Sequence, residues 1–423
     1  MASRPKYEFA ILLIFFLVSP LVTAAPQNDL SPDSGSDMQT APYTIVLFIP
    51  TSNQVHSDQI KDVINSPDGD VLFATAFGLS AYNGTWSTRH INRNNISEGL
   101  MDDFITAVEF DPKGDLWIGY PGGIQIYNGV YYQTIRDQQL LKDLQIHDIL
   151  RWNDDMWIAT GHAGIHRYRN GAWTWYQPMT KNGPGFYEID SIALDTSSYS
   201  QNNSLVIATA NEGLWIVRNQ DDPVVFEMLA DKESAAGQMQ HVKGALGGVY
   251  FFNPEKIIHY DTVSGFKDVL TTSDLTQEQI TINDIDLGSD GSLYIATDDG
   301  LYIWREGEVY RHLNRFEGIG TSEIVRTVNV DRKKDAKDKV WFSTQGYIGY
   351  YIENTNSGIT YNWITPTTLI PISIVNFTTM NPTPAVSPSS DSLSLVGILG
   401  QVTDPIARAI RALAQKLGVK IFS

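Results

Sequence analysis

The chain has 423 residues, 42% of them hydrophobic and 11% aromatic, which is ample for a large core. Its formal net charge of −18 disfavours nucleic acid as a partner, because phosphates are recognised by Lys and Arg. The absence of cysteine excludes disulfides, thiolate catalysis and cysteine-based zinc sites.

The first 24 residues have the pattern of an export signal. Arg4 and Lys6 give a positive start, residues 9–22 form a short apolar stretch, and small residues follow, with Ala24 as the favoured cleavage position. Residues 25–40 are polar and contain Pro, Ser and Gly, as expected of a flexible leader. Residues 41–365 are then expected to form one repeat domain.

The repeat announces itself through "AYNGTW" (81–86), "IYNGVY" (126–131) and "YRNGAW" (168–173). Asn-Gly between aromatic or β-branched runs predicts a type I′ hairpin, because both residues tolerate positive φ. Aligning on the preceding strand extends the repeat to seven copies, starting at residues 71, 116, 156, 205, 249, 293 and 340, that is 40 to 49 residues apart. Each copy opens with an apolar-aromatic-apolar strand, passes a short turn containing Gly, and ends in a second strand. A further strand precedes each copy, as in "ITAVEF" (105–110), and a fourth follows the hairpin, as in "VYYQTI" (130–135). Four antiparallel strands in 40–50 residues make a propeller blade, so the expected fold is an all-β seven-bladed β-propeller. Two segments compete to complete the last blade: residues 43–50 from the N-terminal side, which would clasp the ring, and residues 359–365 from within the repeat. The clasp is preferred because it ties the chain ends together. Trp117, Trp157, Tyr294 and Trp341 share one register and are expected to pack between blades.

The stretches "ITAVEFDPKGDLWIGYPGGIQIY" (105–127) and "INDIDLGSDGSLYIATDDGLYIW" (282–304) resemble the two-component regulator propeller repeat. The resemblance covers about residues 60–353; the fifth copy departs from it, with "NPEK" (253–256) in place of the Thr-x-x-Gly turn. It implies an extracytoplasmic sensor-type propeller, without the membrane span and histidine kinase that typically follow in that family.

Ligands of propellers bind where the turns between second and third strands gather with the connections between blades. The candidate ligand-binding residues are therefore Phe77, Tyr120, His162, Glu212, Asp298, Asp299 and Gln345, with Pro254 at the equivalent place in the fifth copy. Such a ring suits a polar or glycan ligand, a cation, or a protein partner. No metal site is expected: His162 and His166 flank a turn rather than share a helical face, and the Asp-Gly turns lack the full calcium-loop pattern. No two of the eight histidines form a recognisable acid–base constellation, and no cofactor or catalytic residue is assigned. Asn83, Asn95, Asn202 and Asn376 are glycosylation sequons.

Residues 366–392 read as a Pro/Ser/Thr-rich linker. Residues 393–423 form a basic amphipathic tail, with Asp404–Pro405 starting a helix and Ile406, Ile410, Leu413 and Leu417 along one face. Arg408, Arg411, Lys416 and Lys420 leave three roles open: a membrane-surface helix, a helix for self-association or partner docking, or a helix lying on the propeller. The expected function is recognition without catalysis by an exported protein, at the cell surface, outside the cell or in the periplasm. A propeller lyase or hydrolase and a structural envelope component are the alternatives.

Overall fold

The computed structural model describes residues 42–354, apart from 52–53, 91, 93, 182, 198–202 and 333–336. The export signal, Asn202, Asn376, the segment 359–365, the linker and the basic tail lie outside the described residues. The 28 strands form seven four-stranded antiparallel sheets, one per predicted copy. Blade one is typical: Ile60–Asn65 innermost, then Val71–Thr75, Gly78–Tyr82 and Trp86–Arg89. The strand Tyr43–Phe48 closes the ring as the outer strand of blade seven, paired with Tyr347–Glu353 from Tyr43↔Glu353 to Phe48↔Ile348.

The turns between second and third strands lie on one face, here called the upper face, together with the connections between blades. Their chemistry repeats. Thr75 Oγ1 donates to the Gly78 carbonyl at 2.8 Å and accepts from the Phe77 N–H at 2.9 Å. Thr160, Thr209 and Thr297 make the same bond to Gly164, Gly213 and Gly300. In blade five, Asn253 replaces the threonine by accepting from the Glu255 and Lys256 amides, so the unusual "NPEK" still closes a turn.

The hairpins on the lower face correct one expectation. Gly84, Gly129 and Gly171 all have positive φ, at 107°, 89° and 85°. Only the third sits in a two-residue turn with positive φ at both centres, Asn170 at 50° being its partner. Tyr82 pairs with Trp86 and Tyr127 with Tyr132, so the first two loops are longer. There the Asn acts through its side chain: Asn83 Oδ1 accepts from the Thr85 amide, and Asn128 Oδ1 from the Val130 and Tyr131 amides. An Asn that caps a turn keeps ordinary φ and needs only the Gly in the left-handed region.

The blades are held apart by a layer of large side chains in one register of the second strand. Trp117, Trp157, Tyr294 and Trp341 are buried, as expected. Their cross-strand partners on the third strand are Ile126, Arg167, Ile303 and Tyr350. Blade five has Tyr250 paired with His259, and blade four the smaller Val206 paired with Ile216. Blade one carries Leu72 paired with Ala81, the smallest combination of the seven.

Candidate functional site

The inner strands enclose a central channel of about 1330 Å³. In five of the seven blades the inner strand is bulged near its upper end, at Lys61, His147, Asp190, Asn283 and Arg326. A bulge inserts an unpaired residue and re-aims its side chain. All five of these residues line the channel. One irregularity, repeated around the ring, thus supplies a mixed collar of two cations, an acid, an amide and an imidazole.

Below that collar runs a belt of carboxylates. Asp62 Oδ2 accepts from the Val108 amide of the next blade at 2.9 Å, and its Oδ1 from Val63 at 2.8 Å. Asp148 does the same with Ile192 and Ile149, and Asp284 with Val328 and Ile285. Glu109 accepts from Phe110 and, at 3.4 Å, from Arg151. Ser191 takes the corresponding place in blade four, accepting from Val242 at 2.8 Å. Asp286 accepts from Val330 and pairs with Arg332. Each carboxylate therefore satisfies an amide of the neighbouring inner strand, and the belt stitches blade to blade.

The belt has an electrostatic consequence. Burial pushes the Glu109 and Asp148 carboxyls up to about 7, against the pull of the amides they accept from. Asp62 and Asp284 are raised for the same reason. Lys243 lies 3.5 Å from Asp284. Burial acts to lower its ammonium, but Asp284, Asp286, Asp62 and Asp148 outweigh this and hold it above the ordinary lysine value.

None of the seven sequence-predicted residues lines the channel cavity itself. They occupy the upper face around it, with one exception. Phe77 is 57% exposed. His162 projects outward beside Asp143, which accepts from its amide at 2.7 Å. Glu212 is half-buried and its carboxyl is raised by burial, while its carbonyl accepts from the Trp215 indole. Asp298 accepts from the Thr281 amide, and Asp299 from the Tyr302 hydroxyl at 2.8 Å. Gln345 is exposed, next to a Gly346 amide held by Asp58. Tyr120 departs from the expectation of an exposed tip. It ends the second strand where five other blades place threonine, is fully buried, and donates its hydroxyl to Gln125 at 2.8 Å. The tip of that turn is Pro121–Gly122, since Tyr120 already pairs with Gly123.

The structure also brings together residues that sequence separation had kept apart. His56 and His90, 34 positions apart, meet with ring centroids 3.8 Å apart, and His90 Nδ1 lies 3.4 Å from Asp103. Burial, then the neighbouring His90, lowers the His56 imidazole. Among the described residues no group of three His, Asp or Glu is arranged to hold a metal ion. Asn83 is exposed and Asn95 half-buried, and each side-chain oxygen accepts from the Thr85 or Ser97 of its own sequon.

No family model and no curated protein matches the chain. Solved structures do share the fold. An extracellular domain from a hybrid two component system of B. thetaiotaomicron aligns with a TM-score of 0.58 at 17% identity, over 74% of this chain and 42% of that one. The extracellular domain of a one component system from the same organism aligns with a TM-score of 0.55, also at 17% identity, over 72% and 40%. YCF48, solved with a bound peptide, aligns with a TM-score of 0.52 at 14% identity, over 75% and 99%. The chain spans less than half the length of these two extracellular domains.

Proposed function

We propose that this chain is an exported, sensor-type recognition propeller of the two-component regulator propeller kind, which takes a polar ligand or a protein partner on its upper face without transforming it. The observation that supports this best is the repeated bulge: five inner strands aim dissimilar polar side chains into one channel mouth. A collar of mixed charge, ringed by exposed turn residues such as Phe77, His162 and Asp298, suits selective binding. The resemblance to extracellular sensor domains agrees with that role and with an exported location.

The enzyme alternative has one observation in its favour: carboxyls at about 7 suit general acid–base work. Against it, Glu109 and Asp148 each accept two backbone amides. Their oxygens serve the ring before any substrate.

Thermal-shift titration with glycan and peptide panels tests the reading, each hit being repeated with Phe77→Ala, His162→Ala and Asp298→Asn. Recognition at the upper face requires a hit whose affinity falls in at least one variant. Hits indifferent to all three place binding elsewhere, and conversion of a glycan during incubation favours the enzyme.

A further inference from the structure

A second cavity, of about 430 Å³, opens between blades one and two, away from the channel. Its origin is the thin register already noted. Where other blades set Trp, Tyr or Ile against their neighbour, blade one offers Leu72 and Ala81, which share a cluster with Phe110, Leu116 and Tyr127 of blade two but leave a gap beside it. The cleft has an apolar side, with Leu72, Leu79 and Ala81, and a polar side, with Ser66, Ser87 and Arg89, and it has the volume of a small-molecule site.

One charged group is placed to orient a guest. Arg89, at the upper end of the outer strand, lines the cleft. Its guanidinium stacks 4.3 Å from the Tyr127 ring, and one Nη donates to the Tyr132 hydroxyl at 3.0 Å. Among the described residues it makes no ion pair with a carboxylate; the groups that act on its charge are those two tyrosines. A guanidinium held over an aromatic ring, with donors left over, is prepared for a planar anion. Asp68 and Asp70, in the first-to-second turn, also line the cleft and repel an anion from their part of it.

We propose that this interblade cleft binds a small organic carboxylate with an apolar body. The carboxylate sits against Arg89, and the body fills the space that Ala81 leaves open.

Isothermal titration of the full chain with 3-phenylpropionate and with its amide tests this. The acid is expected to bind at least about tenfold more tightly than the amide, the order of one charge-assisted interaction. Arg89→Met should bring the acid down to the level of the amide. Ala81→Ile supplies the residue that blades two and six carry in this register, Ile126 and Ile303, and should abolish binding of both probes without lowering the melting temperature. The assignment fails if the acid does not bind at about 10 mM, if acid and amide bind equally, or if Ala81→Ile leaves binding intact in a folded protein.

Discussion

Blade one meets its two neighbours in different ways. Against blade seven it packs a cluster of rings: Trp341 lies 4.9 Å from Phe73 and 5.2 Å from Tyr82, and Phe48 of the closing strand lies 5.1 Å from Trp86. Against blade two it sets Leu72 and Ala81, and a cleft remains. The backbone pairing is the same on both sides, so the contrast belongs to side chains alone. Strand register is determined by the alternating pattern, whereas the tightness of a blade junction depends on one layer of residues within it. The ring closes within blade seven, by the pairing of Tyr43–Phe48 with Tyr347–Glu353, and the chain then runs on into blade one.

The largest expected effect comes from removing that layer where it is thickest. Trp341→Ala should destabilise the propeller by about 3–5 kcal/mol, read as a shift in chemical-denaturation midpoint. Leu72→Ala, beside an existing gap, should cost about 2 kcal/mol. Equal costs would show that the two junctions are equally well packed. Gly129→Val, on the cleft wall, meets no atom within 4 Å and should cost roughly 1–2 kcal/mol through its positive φ alone. A loss as large as that of Trp341→Ala would mean that the hairpin is part of the junction.

The smallest effect separates the inner belt from the outer layer. Glu109 and Asp148 are raised in the folded state, so between pH 8 and 6.5 the folded protein takes up protons that the unfolded chain does not. Stability should therefore rise as pH falls through that window, by on the order of 1 kcal/mol for the pair. Below about pH 6.5 an opposite contribution sets in: burial lowers His166 to about 4, and the unfolded chain then gains the proton. Glu109→Gln with Asp148→Asn should flatten the pH 8 to 6.5 slope, and Leu72→Ala should leave it unchanged. Loss of the slope in Leu72→Ala would tie the belt to the outer layer.

The architecture was legible because it is written seven times. The layer residues and the turn glycines recur in register; counting strands left two segments competing for the last blade, and the clasp was preferred because it ties the chain ends together. The belt was harder to read. Asp62, Asp148 and Asp284 recur on inner strands, and that recurrence was the available signal. In isolation each reads as a polar residue near a strand end, and the amide it serves lies in the next blade. The bulges leave no local mark, because an inserted residue looks like any other in an alternating strand. Tyr120 was misplaced for a related reason: it replaces a turn threonine, and identity alone does not reveal that its hydroxyl turns inward to Gln125. The meeting of His56 with His90 depends on the order of the blades around the ring.

The closing strand also sets the order of events during synthesis. Thr44 is among the first residues of the described fold to be made, and its partner Asn354 follows 310 residues later. Six blades have all their strands in hand before then, while Tyr43–Phe48 waits as an unpaired edge. Contacts of such long range form slowly because the intervening chain must first be ordered. The strand Tyr43–Phe48 is therefore open to aggregation and proteolysis until Tyr347–Glu353 has been made.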